Sequence, residues 1–170
     1  MIFKKFTGEK INLADYVRDF LNNNIGEYEI IVGTDSKERK APKASYITVV
    51  CIRNKGKGVH VIFQSNTRND AYNMKMRLWW EVEYSREVYD YLIKEVANCR
   101  NLISIHVDVN SNPSFESNSI YQNVIGYLKA AGIEFAAKPN APAASFAADK
   151  LLRNKKPKPI EKYKRKKRYK

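Results

Sequence analysis

Residues 30–36, IIVGTDS, and residues 103–110, ISIHVDVN, decide the fold that we predict for this chain. Each is an apolar, strand-like run with an aspartate where the run ends, Asp35 in the first and Asp108 in the second. An ionised carboxylate at the end of a core strand is costly unless it is solvated, paired or bound to a cation. A long helical segment separates the two runs. The pair therefore predicts carboxylates that converge on one metal site, and hence a metal-dependent enzyme.

The spacing of apolar residues predicts the remaining elements. In chain order they are a leading helix at 12–22, strands at 29–34, 45–53 and 58–65, a long helix at 74–96, a strand at 102–109, a helix at 117–131, a strand at 133–137 and an Ala-rich helix at 142–152. The first three strands read as an antiparallel meander. The prediction is an α/β fold with a five-stranded mixed sheet in the order βββαβαβα, preceded by one extra helix.

The positive charge of the chain is concentrated in its last residues. The 170 residues carry a formal charge of +13, but residues 153–170 alone hold eleven Lys or Arg against one Glu, which leaves only +3 for residues 1–152. A segment so basic and so poor in apolar residues cannot offset the entropy of its own ordering. We therefore predict one domain over 1–152 and a disordered basic tail over 153–170.

The two cysteines and the amino terminus bear on location. Cys51 and Cys99 fit no metal or redox spacing and are expected to be reduced and mostly buried. Residues 1–5, MIFKK, lack the apolar run of a signal peptide, and the longest apolar stretches are only strand-length. These features predict a cytoplasmic protein.

Among the acids of the long helix, one falls beside the apolar stripe. At about 100° per residue, Glu81 lies roughly 40° from the middle of the stripe, whereas Glu83, Glu87 and Asp90 lie well outside it. Glu81 therefore joins Asp35 and Asp108 as a candidate ligand. The alternative is an acid that extends from the edge of the sheet-facing side into solvent.

Each of the other candidates also has a purely structural interpretation. Asp35 could cap a strand end through Asx-type hydrogen bonds. His106 could be a hydrogen-bonded structural histidine. Asp149, the only acid of the last predicted helix, could be an exposed residue paired with Arg153 at i+4. Asp108 is the strongest candidate, because the polar residues of 103–110 alternate with apolar ones and give a strand flanked by helices one polar face.

The element order and the positions of the acids resemble the ribonuclease H-like superfamily. Three local sequences look like the YkuK-type family of bacterial ribonuclease H-like proteins: residues 33–36 (GTDS); residues 106–113 (HVDVNSNP) with 117–118 (SN); and residues 137–139 (AKP) with 144–145 (AS) and 148–150 (ADK). The resemblance covers about residues 27 to 152. The basic carboxy-terminal extension departs from the shared domain.

The resemblance implies a metal-binding set and a mechanism. The superfamily's acids correspond to Asp35, Glu81, Asp108 and Asp149, which would hold two Mg²⁺ or Mn²⁺ ions for hydrolysis of a phosphodiester. In that mechanism Asp35 bridges the ions, Glu81 and Asp108 share one, and Asp149 completes the other.

Further residues are expected around that centre. His106 and Asn110 would lie behind the ligands or beside the phosphate, and Lys138 would contact a phosphate, although a solvated lysine is the plainer interpretation. Trp79 or Trp80 could stack on a base, or could be covered by the leading helix or by a second copy of the chain.

Three classes of function remain open at this stage. The leading hypothesis is a metal-dependent nuclease acting on RNA, DNA or a hybrid. The second is a non-catalytic module that binds nucleic acid or the ribosome through the basic tail, and the third is a protein-interaction domain with a solubilising tail. The substrate, the mode of cutting and the oligomeric state leave no readable mark in the sequence.

Overall fold

The computed structural model describes residues 1–23 and 26–141. Within that part of the chain one sheet contains β1 (Ile2–Lys4), β2 (Lys10–Asn12), β3 (Tyr28–Glu38), β4 (Ala44–Asn54), β5 (Gly58–Arg68), β6 (Ile103–Asn110) and β7 (Phe135–Lys138). The α-helices are α1 (Leu13–Asn23), α2 (Met74–Glu95) and α3 (Tyr121–Ala130), with short 3-10 helices at Arg100–Leu102 and Glu116–Ile120. The helix predicted at 142–152 and the tail at 153–170 lie outside the described residues.

The strand order across the sheet is β2-β1-β5-β4-β3-β6-β7. Strands β3, β4 and β5 form the predicted antiparallel meander, with β4 between its two partners. Strand β6 then runs parallel to β3, and β7 runs parallel to β6. The five predicted strands are therefore a contiguous block of a mixed sheet.

The prediction of five strands was wrong at the amino terminus, where two short strands extend the sheet. Strand β1 pairs with β2 from Ile2↔Asn12 to Lys4↔Lys10, and it joins the meander through Lys4↔Phe63 on β5. Three-residue strands with lysines at exposed positions carry too little alternation to be read as strands. Phe3 anchors this hairpin, because its side chain is completely buried in the main core.

All three helices pack on one face of the sheet and form the main core with it. That core contains Leu13 and Val17 of α1, Leu92 of α2 and Leu128 of α3. A separate apolar cluster lies on the other face and consists of Ile31, Ile47, Val49 and Cys51 with Val61 and Phe63 beside it. Both cysteines are free and buried, as predicted.

Helix α2 provides the scaffold for the site. The Asn73 side chain caps it by accepting a hydrogen bond of 2.9 Å from the backbone N–H of Met76, which satisfies one of the free donors of the first turn. Its buried residues follow the predicted three-four spacing and are Leu78, Glu81, Val82, Ser85, Val88, Tyr89 and Leu92. This stripe fixes which side of α2 faces the sheet.

The expectation that Asp35 ends its strand was wrong. Strand β3 continues to Glu38, because β4 pairs with it along its whole length, including Asp35↔Ile47 and Glu38↔Ala44. The pairing of β3 with β6 is shorter and ends at Gly33↔His106. Asp35 is therefore paired with β4, but it lies just beyond the region in which β3 is paired with β6.

Candidate functional site

Asp35 and Asp108 lie side by side on adjacent parallel strands. The register pairs Gly33 with His106, and each aspartate follows its paired residue by two positions. Residues two apart along a strand project from the same face, and neighbouring strands are about 4.8 Å apart. The two aspartates therefore share one face at the carboxyl end of the β3–β6 pair.

This shared face is the one opposite the helices. The hydroxyl groups of Thr34 and Ser85 are 2.9 Å apart on the helix side, and Ser36 also contacts α2. Asp35, between Thr34 and Ser36, must therefore project to the other side. On β6 the same alternation buries Val107 in the helix-side core and turns Asp108 away from it.

A β-bulge marks the position of Asp108. Strand β6 pairs with β7 at Val107↔Ala137 and next at Asn110↔Lys138, so that Asp108 and Val109 are extra residues on β6. Bulges redirect side chains and are over-represented beside active sites. The Asp108 side chain is only one-quarter exposed and forms an ion pair with the ammonium group of Lys138.

Glu81 reaches the same region from the helix side. Its side chain is 4% exposed, and its Oε1 accepts a hydrogen bond of 2.5 Å from the hydroxyl of Ser36. Arg77, one turn earlier on α2, lies 4.0 Å from that oxygen and donates to Ser36 Oγ at 2.9 Å. The carboxyl group is thus held between a hydroxyl and a guanidinium.

Burial raises the pKa of Glu81 well above its ordinary value of 4.5, and the negative charges of Asp35 and Asp108 raise it further. The hydrogen bond from Ser36 and the charge of Arg77 oppose this shift without cancelling it. Three carboxyl groups therefore interact electrostatically, although they come from two sides of the sheet. A narrow crevice between α2 and β6 is lined by Glu81 on the helix and by residues 106–109 on the strand.

The acids suit a divalent cation in chemistry but are not arranged around one. Carboxylate oxygens are the ligands that Mg²⁺ and Mn²⁺ prefer, and the mutual charge that raises the pKa of Glu81 is what a cation would relieve. Among residues 1–23 and 26–141, however, no group of three or more His, Cys, Asp or Glu side chains is positioned to hold a metal. Lys138 instead supplies the positive charge at Asp108.

Two of the predicted surrounding residues have clear local roles. His106 is partly buried, and that burial lowers its pKa below the usual value, which favours the neutral imidazole. Asn110 organises the loop after β6, because its side-chain oxygen accepts from the N–H of Asn112 at 2.9 Å and its backbone N–H donates to Ser117 Oγ at 3.2 Å. Asp149, the fourth predicted ligand, lies outside the described residues.

Sequence reasoning missed Arg77 and the partnership of Ser36 with Glu81. A signal for Arg77 exists, since it precedes Glu81 by four residues and such pairs meet on one helix face. No comparable signal links Ser36 to Glu81, because they are 45 residues apart and meet only through the packing of α2 on β3.

A family model described as ribonuclease H-like matches residues 12–153. The chain belongs to the ribonuclease H-like family. The match agrees with the mixed sheet and supports the broader of the two resemblances, whereas the narrower YkuK-type resemblance stays a prediction. No curated protein and no solved structure matches the chain.

Membership of the ribonuclease H-like family indicates a nuclease-type or otherwise nucleic-acid-related function. None of the helices in the described ranges is long and apolar enough to cross a membrane.

Proposed function

We propose that this protein is a divalent-metal-dependent nuclease that hydrolyses phosphodiester bonds at the site built around Asp35, Glu81 and Asp108. The observation that carries the proposal is that Asp35 and Asp108 share one face of adjacent strands close to the almost fully buried Glu81. Burial, and then the charges of both aspartates, raise the pKa of Glu81. Such perturbed groups concentrate at functional sites. Membership of the ribonuclease H-like family supports the same conclusion.

Asp35 and Asp108 are the primary candidates for holding Mg²⁺ or Mn²⁺, because they share a face and are more exposed than Glu81. Glu81 and, from outside the described residues, Asp149 would complete the set. When bound, such an ion lowers the pKa of an attacking water and polarises the phosphodiester. Two ions fit this fold better than one, because four acids carry more charge than a single divalent ion offsets.

The protein's own groups have roles in this proposal that do not depend on the number of ions. Burial raises the pKa of Glu81 and so favours its protonated form while the site lacks a cation, and positive charge entering the site would favour the carboxylate instead. Lys138 neutralises Asp108 in the same state, and a lysine released from Asp108 is free to contact a phosphate oxygen. The lowered pKa of His106 favours its neutral imidazole, which can accept or donate a hydrogen bond.

The domain boundary belongs to the same proposal. Residues 1–152 would form the catalytic domain and residues 153–170 the basic tail. The end of the family match at residue 153 supports this division. Nucleic acid of unspecified type would then be the common partner of both parts.

The experiment that tests the proposal is cleavage of a mixed panel of labelled RNA, DNA, hybrid and branched substrates in the presence of Mn²⁺. Wild-type protein is expected to cut at least one substrate, and Asp35→Asn and Asp108→Asn should each lose more than about 100-fold in rate, the upper range for residues that merely support a metal ligand. Asp90→Asn is the matched control, since Asp90 is an exposed acid of α2 paired only with Arg86 among the described contacts.

One observation favours a second candidate, a non-catalytic nucleic-acid-binding or ribosome-binding module. The carboxylates of Glu81 and Asp108 already have partners in Ser36 and Lys138, so neither acid is left without compensation. Cleavage by none of the proteins, together with tight binding of nucleic acid in EDTA, would support this module instead. Equal cleavage by wild type and both aspartate variants would contradict the assignment of the site.

A further inference from the structure

An apolar groove lies at the start of α2, close to the acids but separate from them. It is lined by Lys75, Met76, Trp79, Trp80 and Ile120 and encloses about 290 Å³. Met76 is 36% exposed, which is high for a large apolar side chain. We call this feature the tryptophan groove, because both tryptophans of the chain line it.

The two indole rings are held in place by neighbours. The ring of Trp79 contacts the ring of Tyr127 with a centroid distance of 5.2 Å. The guanidinium of Arg68 lies 3.4 Å from the ring centroid of Trp80, and Asp70 fixes that guanidinium through two hydrogen bonds of 2.7 and 2.6 Å. Rigid aromatic walls bind a flat partner at a low cost in conformational entropy.

A strongly basic hairpin lies beside the groove. The tip of the β3–β4 hairpin, residues 37–43 (KERKAPK), consists of the end of β3 and the connecting loop and has four basic residues against one acid, all of them exposed. The backbone N–H of Ala71 donates to the carbonyl of Pro42 at 2.9 Å, which joins this hairpin to the segment that leads into α2. An apolar groove bordered by lysines and arginines matches a ligand that combines flat apolar rings with negative charge.

We propose that the tryptophan groove receives an unpaired base of a single-stranded nucleic acid whose phosphates lie along residues 37–43. The inference deepens the proposed function and rests on it. Trp79 and Trp80 directly precede Glu81 on α2, so the groove and the candidate acid belong to the same helix. A base that is paired and stacked within a duplex cannot enter such a groove. The ligand is therefore single-stranded where it meets α2.

Tryptophan fluorescence gives a direct test, because the emission of the protein comes from the two residues that line the groove. Wild-type protein in EDTA is titrated with a single-stranded oligonucleotide of about 12 nucleotides, with the same strand annealed to its complement, and with an abasic sugar-phosphate oligomer of equal length. The single strand is expected to quench the emission strongly. Neither the duplex nor the abasic oligomer should do so, since they share its charge but offer no free base.

A pair of matched variants locates the binding site. Met76→Glu places a charge at the mouth of the groove, and an acid in the first turn is compatible with the helix. Val59→Glu makes the same charge change at a residue that is 53% exposed and lies at the opposite end of β5. We expect Met76→Glu to weaken single-strand binding about tenfold, the loss that corresponds to one stacked base, and Val59→Glu to have little effect.

The outcomes separate this inference from the nuclease proposal, because the titration uses EDTA and needs no turnover. Strong quenching without cleavage of any substrate would support base binding in the groove and contradict the nuclease proposal. Equal quenching by the abasic oligomer, absence of quenching by the single strand, or equal effects of Met76→Glu and Val59→Glu would overturn the inference. In each of those cases an apolar protein segment becomes the better occupant of the groove.

Discussion

The Ser36 hydroxyl donates a hydrogen bond of 2.5 Å to Oε1 of Glu81, across the interface between β3 and α2. Ser36 follows Asp35 directly, so the same short segment presents one acid to the open face of the sheet and supports a second acid on the helix side. This relationship explains how residues from two faces form one electrostatic cluster. It also predicts that the stability of the fold depends on the charge of Glu81.

The first prediction is that Glu81→Gln changes the dependence of stability on pH in EDTA. Because the pKa of Glu81 is raised in the folded state above its ordinary value of 4.5, the folded protein binds more protons than the unfolded chain above that pH. The contribution of Glu81 to the free energy of unfolding is therefore full below about pH 4.5 and is lost as the pH rises through the raised pKa. The variant lacks this loss, so it should gain stability relative to wild type as the pH increases.

Urea unfolding at several pH values measures this difference, whose slope cannot exceed about 1.4 kcal/mol per pH unit for one proton. Glu87→Gln is the matched control, because Glu87 is exposed on the same helix. Glu83 is a poorer control than its position on the helical wheel predicts, since it hydrogen-bonds Tyr127. A pH-independent difference between Glu81→Gln and wild type would show that Glu81 is ionised in the folded protein.

The second prediction concerns the competition between Lys138 and a divalent cation for Asp108. The ion pair must be broken before the carboxylate can bind a metal, and a partly exposed pair is worth up to about 1 kcal/mol. Lys138→Gln should therefore lower the Mn²⁺ concentration that half-maximally raises Tm by up to about fivefold. Lys129→Gln removes an exposed lysine of α3 and should leave the midpoint unchanged. An unchanged or higher midpoint for Lys138→Gln would mean that Lys138 assists metal binding rather than opposing it.

The third prediction is that Tyr46→Phe stabilises the protein. The Tyr46 side chain is fully buried, and its hydroxyl has no hydrogen-bond partner in the described part of the chain. Burial raises the pKa of that hydroxyl to about 12. Removal of an unsatisfied buried hydroxyl should raise the free energy of unfolding by about 1 kcal/mol.

Thermal and urea unfolding of two matched variants test this expectation. The hydroxyl of Tyr91 accepts a hydrogen bond of 2.9 Å from the amino group of Met1. Because Tyr91→Phe removes that bond, it should lower the free energy of unfolding, whereas Tyr46→Phe should raise it. Destabilisation by Tyr46→Phe as large as that by Tyr91→Phe would indicate that the Tyr46 hydroxyl has a partner after all.

The sequence was sufficient for the elements whose signal is local. The spacing of α2 predicts its length and places Glu81 beside the buried stripe, because a 22-residue helix presents its pattern over six turns. The alternation in Ile103–Asn110 likewise predicts which residues of β6 enter the core. These predictions need no knowledge of the partner that each element packs against.

Features that depend on pairing with distant residues could not be predicted. The continuation of β3 past Asp35 depends on its register with β4, and the short strands β1 and β2 are stabilised by each other and by β5. Lys138 and Asp108 form their ion pair beside a bulge in β6, and no local sequence pattern predicts that bulge. The candidate acids could therefore be proposed from the sequence, whereas Ser36 as a partner of Glu81 and Lys138 as a partner of Asp108 could not.

The last prediction concerns the basic tail, residues 153–170, which begins where the family match ends and carries a charge of +10. Each phosphate that the tail neutralises contributes about −0.9 to the slope of log affinity against log salt on duplex DNA, or about −0.7 on a single strand. Deletion of 153–170 should therefore flatten that slope and weaken binding to all sequences alike. With a short substrate at saturation, kcat should survive, because a tether that binds ground and transition states equally affects KM alone. An unchanged salt slope after truncation would show that the tail only solubilises the protein, and a loss of kcat would show that it belongs to the catalytic site.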